Sequence, residues 1–286
     1  MIHIVRNNAF GDVLWVEPVA RHFIDKGNIV NILTWKHEVF NNYPSDRLYV
    51  NHPLPKWQKS ILKRVSIPGL PKLINLNGAY ESRPQVHFLQ AYFDKAGITD
   101  TPLSPPKLYL NNKEKISLYS EKYVVLHIET HSINSRNVYG VNWTQVVKYL
   151  QNKGIKVIQL SKSGANVFCE RYDAKDFRDV MRLLYNCTFF IGVDSGPSHI
   201  AACFDKPSII FFGSVNPLFR HLTSNNKIFL QQDCKYAHCY HEVTKNASVT
   251  CKLAGEQGVP PCCLHSTELV INKIDQLYKN FNNDSL

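Results

Sequence analysis

The sequence predicts an α/β protein built from two doubly wound domains, each with a parallel sheet. Short apolar runs alternate with amphipathic segments along the chain, which is the pattern of strands and helices in such sheets. The alternation stops at residues 101–115, where three prolines and weak periodicity indicate a linker, and then restarts. The length of 286 residues also suits two domains at about 150 residues each.

The elements follow in order from this pattern. In the first half, residues 13–24 carry apolar side chains at helical spacing, and Gly27 is a natural stop for that helix. Strands are expected there at 1–6, 28–35, 47–50 and 73–76, with a second helix at 85–97. In the second half, strands are expected at 122–128, 155–160, 188–193 and 208–213, with helices at 143–154, 176–187, 198–204 and 268–281. The predicted domains are 1–105 and 106–286, the second including a cysteine-rich segment at 234–263 and the terminal helix.

Composition and charge narrow the function. With 44% hydrophobic and 20% charged residues, the chain can form ordinary cores, which excludes wholesale disorder. No apolar run approaches the roughly 18–20 residues that cross a bilayer, and the start of the chain lacks the features of a secretory signal, so we expect a cytoplasmic protein. The excess of 33 Lys and Arg over 23 Asp and Glu favours an anionic partner: a phosphorylated substrate, a lipid surface or a nucleic acid. A diffuse surplus that only aids solubility is the alternative.

The segment from Gly192 to Pro197 is the strongest indication of chemistry. A buried strand ends at Asp194-Ser195-Gly196-Pro197, and a helix begins immediately. Gly196 allows a ligand to approach the backbone closely, and Pro197 suits a first helical turn. The amides and dipole at such a helix start form an anion site suited to a diphosphate. The alternative is an ordinary turn in which Asp194 caps the helix.

Together with two other segments, this turn resembles the family-9 glycosyltransferases, the heptosyltransferase family. The matching residues are Gly11, Asp12 and Pro18 near the start, Thr130 and Arg136 in the middle, and Asp194, Ser195, Gly196, His199, Lys206-Pro207 and Phe212-Gly213 near the end. Arg136 lies seven residues before Trp143, an interval at which the family has a lysine. These positions span nearly the whole chain in the family's order.

The resemblance implies the GT-B fold, in which two Rossmann-like domains face each other across a cleft. The first domain would bind the acceptor and the second the nucleotide-sugar donor, with inversion at the anomeric carbon by direct displacement. Asp12 would be the catalytic base, although a carboxylate at a helix start is also an ordinary cap. Arg136 would neutralise the diphosphate in place of the lysine.

The remaining donor residues follow from the same resemblance. Ser195 and Gly196 would present a hydroxyl and backbone amides to the phosphates, and Thr130 would also contact the donor. His199 is either a phosphate donor or a packed helix residue, and Asp194 either holds sugar hydroxyls or caps the helix. The sequence shows no DxD-like pair at a strand end, and the helix start plus arginine make a catalytic metal unnecessary, so no cofactor is expected for catalysis.

A basic segment at residues 52–72 carries no acid and includes Trp57. Its Lys56, Lys59, Lys63 and Arg64 are predicted to contact an anionic acceptor or, peripherally, the inner membrane surface. An exposed, solvated loop is the alternative. The same mixture would suit DNA phosphates and a stacked base.

Five of the eight cysteines lie in residues 234–263, interleaved with histidines. Cys234, Cys239, Cys251 and Cys262 are candidate ligands of a structural zinc or iron, since thiolates and imidazoles bind these metals. The spacing lacks a paired C-x2-C, so reduced free thiols or disulfides remain alternatives. Clustered cysteines near the C-terminal end also resemble those of autotransporter heptosyltransferases.

The sequence therefore predicts a metal-independent glycosyltransferase that moves a sugar from a nucleotide-diphosphate donor to an anionic saccharide. Heptose from an ADP-activated donor and the lipopolysaccharide core are the first candidates for donor and acceptor. Two alternatives remain: a phage-type glycosyltransferase acting on DNA bases, and a non-catalytic GT-B protein that binds nucleotides or nucleic acid.

Overall fold

The computed structural model of the protein describes residues 1–53, 72–130, 134–162, 164, 166–242, 251–254 and 258–283. Its contacts divide the chain into two compact units, Met1–Asn111 and Asn112–Leu286. Each unit contains one parallel sheet, with helices in several of the connections between strands. Within the described ranges, no helix is both long enough and apolar enough to span a bilayer.

The first unit has a four-stranded sheet in the order β3-β2-β1-β4. The strands are β1 (Ile2–Val5), β2 (Val30–Leu33), β3 (Leu48–Val50) and β4 (Lys72–Asn75), and the helices are α1 (Phe10–Leu14), α2 (Val16–Asp25) and α3 (Phe88–Ala96). Ile4 of β1 lies opposite Ile32 and Ile74, and all three are buried. Strands β2 and β3 lie on one side of β1, and β4 lies on its other side, so the order in which the strands are added reverses between β1 and β4.

The single helix predicted over residues 13–24 is wrong, because two helices meet at Trp15. Pro18 explains the break. Its missing amide is tolerated in a first helical turn but not in a helix interior, so a new helix has to start at Val16. The Trp15 side chain is buried with its ring 4.5 Å from that of Phe88, which fixes the corner against α3.

A buried carboxylate ties residues 104–107 to the first unit. The Glu17 side chain, on α2, is 3.1 Å from the Arg21 guanidinium and accepts a hydrogen bond from the backbone N–H of Lys107 at 2.9 Å. Arg21 in turn donates to the carbonyl of Pro105 at 3.0 Å. Burial raises the pKa of Glu17, while Arg21 and the Lys107 amide oppose that rise.

The second unit has a six-stranded sheet in the order β10-β9-β8-β5-β6-β7. Its strands are β5 (Tyr123–His127), β6 (Lys156–Leu160), β7 (Glu170–Tyr172), β8 (Phe189–Val193), β9 (Ser208–Phe211) and β10 (Lys227–Leu230). Its helices are α4 (Trp143–Asn152), α5 (Phe177–Asn186), α6 (Gly196–Cys203), α7 (Pro217–Arg220) and α8 (Thr267–Asn283). The strand order reverses between β5 and β8, which is where open parallel sheets bind their ligands.

The core of the second unit packs β5, β8 and β9 against α4 and α8. Trp143 on α4 makes an edge contact with Phe211 of β9, and Val270, Ile274 and Leu277 of α8 are buried beside them. Every other predicted strand and helix is present with slightly different ends. The sequence does not predict β7, β10 and α7.

Candidate active site

The second unit gathers polar side chains where β5 and β8 end. Asp194 follows β8, and Ser195 precedes the first residue of α6. Thr130 follows β5, and Arg136 ends a short 3-10 turn a few residues later. Because β5 and β8 are adjacent and parallel, the residues after them lie at one edge of the sheet, where its order reverses.

An ion pair joins Arg136 to Asp194. The Arg136 Nη2 atom is 2.7 Å from Asp194 Oδ2 and 2.7 Å from the Asp194 backbone carbonyl oxygen. The Asp194 residue is only 2% exposed. Burial acts to raise the pKa of Asp194, but Arg136, His221 and His199 together hold it well below its ordinary value. The carboxylate is therefore ionised, and it holds the Nη2 group of the Arg136 guanidinium in place.

Two stacked imidazoles complete the surroundings of this carboxylate. The rings of His199 and His221 are 4.3 Å apart and nearly parallel. Their Nε2 atoms lie 3.7 and 3.6 Å from Asp194 Oδ1. Burial is the main cause that lowers the pKa of both histidines, while Asp194 opposes that change. The sequence gives no indication of His221, because it follows the unpredicted helix α7.

Asp194, His199 and His221 have ligand atoms within 4.8 Å of one another. This spacing alone would admit a metal ion, but two features of the cluster oppose one. The lone pairs of an imidazole lie in its ring plane, so two stacked, nearly parallel rings do not direct them at a common point. The Arg136 cation also already binds the same carboxylate. A metal at this cluster would therefore have to share the Asp194 carboxylate with Arg136.

The start of α6 is open on the side of Gly196. The Ser195 hydroxyl donates to the Val193 carbonyl at 3.1 Å, and the Ser195 N–H donates to Ser198 Oγ at 3.1 Å. A Cβ placed on Gly196 would have no atom within 4 Å, so space lies directly beside the backbone there. The helix dipole places partial positive charge at this end, and Arg136, paired with Asp194, lies beside it.

Gly213, another residue of the family pattern, has a packing role instead. A Cβ at this position would collide with the backbone oxygen of Ser135 and with Cys263 Sγ. The absence of a side chain therefore lets the turn that carries Arg136 pack against the end of β9. This contact positions the arginine at the sheet edge.

The first unit places a second charged cluster at its own reversal point. Arg6, at the end of β1, has Nη2 3.4 Å from Asp12 Oδ1 and 2.9 Å from Glu81 Oε1. Burial lowers the pKa of Arg6, but Tyr92, Glu81 and Asp12 raise it above its ordinary value, so it stays charged. The Tyr80 and Tyr92 rings flank its guanidinium at 5.2 and 5.4 Å. The Asp12 side chain is 16% exposed and is oriented by this buried cation.

Sequence reasoning identifies Asp12 but misses Arg6 and Glu81. A charged residue directly after a buried strand is the signal that would have indicated Arg6. Glu81 lies between β4 and α3, in a stretch with no motif. The predicted acceptor residues Lys56, Lys59, Lys63 and Arg64 lie outside the described residues.

The four cysteines proposed as metal ligands are not in disulfides, and neither is Cys263. The Sγ atoms of Cys262 and Cys263 are 3.9 Å apart, close to the sulfur separation of about 3.8 Å that tetrahedral zinc thiolates require. This contact lowers the pKa of Cys262 to about 7 and raises that of Cys263, which Cys251 and Cys239 raise further. Cys239 and Cys251 influence this pKa through their charge, but among the described residues no three of the cysteines have their Sγ atoms within 4.8 Å of one another.

Comparison with solved structures first defines the class of fold. TibC, an iron-containing dodecameric glycosyltransferase from enterotoxigenic E. coli H10407, is similar with a TM-score of 0.73 and 17% identity, over 98% of this chain and 76% of that chain. The ADP-heptose lps heptosyltransferase II of E. coli is similar with a TM-score of 0.70 and 13% identity, over 100% of this chain and 99% of that one. The predicted GT-B fold is confirmed.

Comparison of sequences then gives the family. Residues 85–250, more than half of the chain, match the model of "Glycosyltransferase family 9 (heptosyltransferase)", and the chain belongs to this family. The autotransporter heptosyltransferase Aah of Escherichia coli is 26% identical over 155 residues, which is 49% of this chain and 39% of that protein. Lipopolysaccharide heptosyltransferase 1 of Salmonella typhimurium is 26% identical over 110 residues, 34% of each chain. The matched regions thus span little more than a third of these curated relatives.

Proposed function

We propose that this protein is an inverting glycosyltransferase that transfers a sugar from a nucleotide-diphosphate donor to an anionic saccharide. Heptose from ADP-heptose is the donor we propose, and lipopolysaccharide core is the proposed acceptor. The observation that carries the proposal is the open start of α6 beside the Arg136 guanidinium, at the reversal point of the second sheet. The names of the relatives, which include two heptosyltransferases, support the choice of sugar.

On the donor side, we assign the diphosphate to Arg136, to the Ser195 hydroxyl and to the backbone at Gly196. Asp194 and His199 are buried, so in this proposal they act behind Arg136 and hold its guanidinium toward the diphosphate. Thr130, half-buried at the same edge, contacts the donor beside them. Positive charge fixed there before the reaction stabilises the diphosphate as it leaves.

On the acceptor side, Asp12 removes the proton from the attacking hydroxyl. The oxygen then bonds to the anomeric carbon as the bond from that carbon to the diphosphate breaks, and the nucleoside diphosphate departs. Arg6 and Glu81 hold the Asp12 carboxylate in position. The lysines and arginine of residues 56–64 remain the proposed contacts to an anionic acceptor, in a protein that acts in the cytoplasm at the inner membrane surface.

Release of ADP from ADP-heptose tests this function directly. The purified protein is expected to release ADP when a heptose-free lipopolysaccharide core oligosaccharide is added, and far more slowly without it. Other nucleotide sugars, tested in parallel by the thermal stabilisation that a true donor gives, show whether the sugar or base is different. Failure of all donors to stabilise the protein or to be turned over would refute the proposal.

Replacing Gly196 by Ala is expected to separate donor binding from folding. The new methyl group enters open space, so the free energy of unfolding should change by no more than about 0.5 kcal/mol. If the diphosphate lies against this backbone, the same methyl group displaces it and donor affinity falls by about tenfold or more. Calorimetry with ADP-heptose and a melting curve measure the two effects. Unchanged affinity would place the diphosphate elsewhere.

Gly213→Ala is the matched contrast for this test. Its methyl group collides with Ser135 and Cys263, so this variant should lose stability by about 1–3 kcal/mol, the usual cost of overpacking. A Gly196→Ala protein that melts as early as Gly213→Ala would show that the first glycine is structural.

We also propose that Cys239, Cys251, Cys262 and Cys263 hold a structural zinc or iron that takes no part in the transfer step. The 3.9 Å separation of the vicinal sulfurs supports two of these ligands, with Cys263 in place of Cys234, and metal binding would require Cys239 and Cys251 to move toward this pair. Elemental analysis should find about one metal per chain, and a chelator should lower the melting temperature. Cys262→Ser should lose the metal, whereas the control Cys187→Ser, at a buried thiol near Leu184, should retain it. Metal-free protein of equal stability would exclude the site.

A further inference from the structure

Trp35 is the most exposed large apolar side chain in the described part of the protein, at 79% exposure. It lies two residues after the end of β2 in the first unit. An indole left in water forgoes the favourable burial that aromatic side chains usually obtain, so its position calls for an explanation. Domains with parallel sheets also bind their ligands at the surface loops that follow the carboxyl ends of the strands.

The backbone on both sides of Trp35 is held in place. The Thr34 N–H donates to Asn51 Oδ1 at 2.9 Å, and Asn51 Nδ2 donates to the Thr34 carbonyl at 2.8 Å. Asn51 has a φ of 55°, a left-handed conformation that asparagine tolerates better than most residues. The Lys36 N–H donates to Thr34 Oγ1 at 3.1 Å. A built turn, rather than a loose loop, therefore presents the indole to solvent.

This turn contacts the helix that carries the proposed base. Because β1 and β2 are adjacent and parallel, the residues that follow them share one edge of the sheet. The Lys36 Nζ atom lies 4.4 Å from the centre of the Phe10 ring. Phe10 is the first residue of α1, and Asp12 is two residues further along the same helix. Trp35 thus stands next in sequence to a residue packed against the start of that helix.

We propose that Trp35 is a platform on which a sugar ring of the acceptor stacks, close to the hydroxyl that Asp12 deprotonates. The inference rests on the function proposed above and names its acceptor subsite. The C–H groups on one face of a pyranose carry partial positive charge and are apolar enough to pack on the negative face of an indole. The sugar hydroxyls point outward from that stack, where Lys36 donates hydrogen bonds to them and water donates or accepts.

A sugar fits this surface better than a nucleobase. Proteins that stack bases of single-stranded nucleic acid combine aromatic platforms with a positively charged groove that follows the phosphates. The described charges at α1 are instead mixed: Lys36 lies against Phe10, and Arg6 lies between the carboxylates of Asp12 and Glu81. These carboxylates repel a phosphate backbone but accept hydrogen bonds from sugar hydroxyls.

The test compares Trp35→Ala, Trp35→Phe and the control Ile116→Ala, an exposed apolar residue of the second unit. Calorimetry measures the binding of heptose-free core oligosaccharide to each full-length protein, and ADP release gives the acceptor and donor KM. Trp35→Ala should weaken saccharide binding and raise the acceptor KM by about tenfold, as expected for loss of one stacked ring. The donor KM should change by less than about twofold, and Trp35→Phe should retain most of the affinity.

Three outcomes would overturn the inference. The first is saccharide binding that is absent from the wild type or unchanged in Trp35→Ala. The second is a loss, in Trp35→Ala, of affinity for a single-stranded oligonucleotide instead. The third is a change of oligomeric state on sizing, which would show that Trp35 lies at an interface between copies. If the wild type releases no ADP from any donor, the proposed function fails. Calorimetry with the saccharide still decides the role of Trp35 in that case.

Discussion

Replacing Asp12 by Asn is expected to lower the rate of sugar transfer by about 10³-fold, because an amide cannot accept the proton of the attacking hydroxyl. The amide is nearly isosteric with the carboxylate, and Arg6 keeps its closer partner Glu81 at 2.9 Å. The fold and the affinity for the donor should therefore be retained. Steady-state ADP release at saturating donor and acceptor measures the loss, and donor calorimetry checks binding.

The matched control is Asp25→Asn, which removes an exposed carboxylate from α2 of the same unit. It should transfer sugar at the wild-type rate. Full activity in Asp12→Asn would remove the assigned base, and equal losses in both variants would indicate an effect of net charge rather than of proton transfer.

The second large effect is expected for Arg136→Met, which should lower transfer by about 10²-fold or more by removing positive charge from the leaving diphosphate. This variant should also lose about 3–5 kcal/mol of stability, since the Asp194 carboxylate would be left buried without its cation. Loss of activity in this variant alone is therefore ambiguous between chemistry and folding. Melting curves and ADP release have to be measured together.

The double variant Arg136→Met with Asp194→Asn resolves the ambiguity. It removes both charges, so most of the stability should return while transfer stays low. Arg136→Lys should lie between, because it keeps the charge but loses the guanidinium whose Nη2 donates both hydrogen bonds to Asp194. Recovery of activity in the double variant would show that Arg136 serves only to neutralise Asp194.

The sequence predicts well what depends on local pattern. The buried strands β1, β5 and β8 are apolar runs, and the turns after β1 and β8 carry motifs that place Asp12 and Asp194 at the carboxyl ends of strands. Strand order, however, depends on contacts between distant segments. The two reversal points, between β1 and β4 and between β5 and β8, therefore emerge only from the folded sheets.

The partners of these motif residues are harder to predict for the same reason. Glu81 meets Arg6 across 75 positions of sequence, and His221 meets Asp194 across 27. A lone glutamate and a lone histidine in irregular segments give no periodicity to read. Cys263 is missing from the predicted ligands because it adjoins Cys262, and the spacing of cysteines does not show which thiols lie close together in the fold.

The buried Glu17 carboxylate has a practical consequence for anyone who divides this chain. A fragment that ends at residue 105 would lose the Lys107 amide and would expose the carbonyl of Pro105 at a severed end, leaving Glu17 to rely on Arg21 and Tyr43. A fragment that ends at residue 111 preserves the whole arrangement. Truncation at the longer boundary should therefore yield the better-behaved sample for crystallisation or spectroscopy, because the tail is part of what shields that carboxylate from solvent.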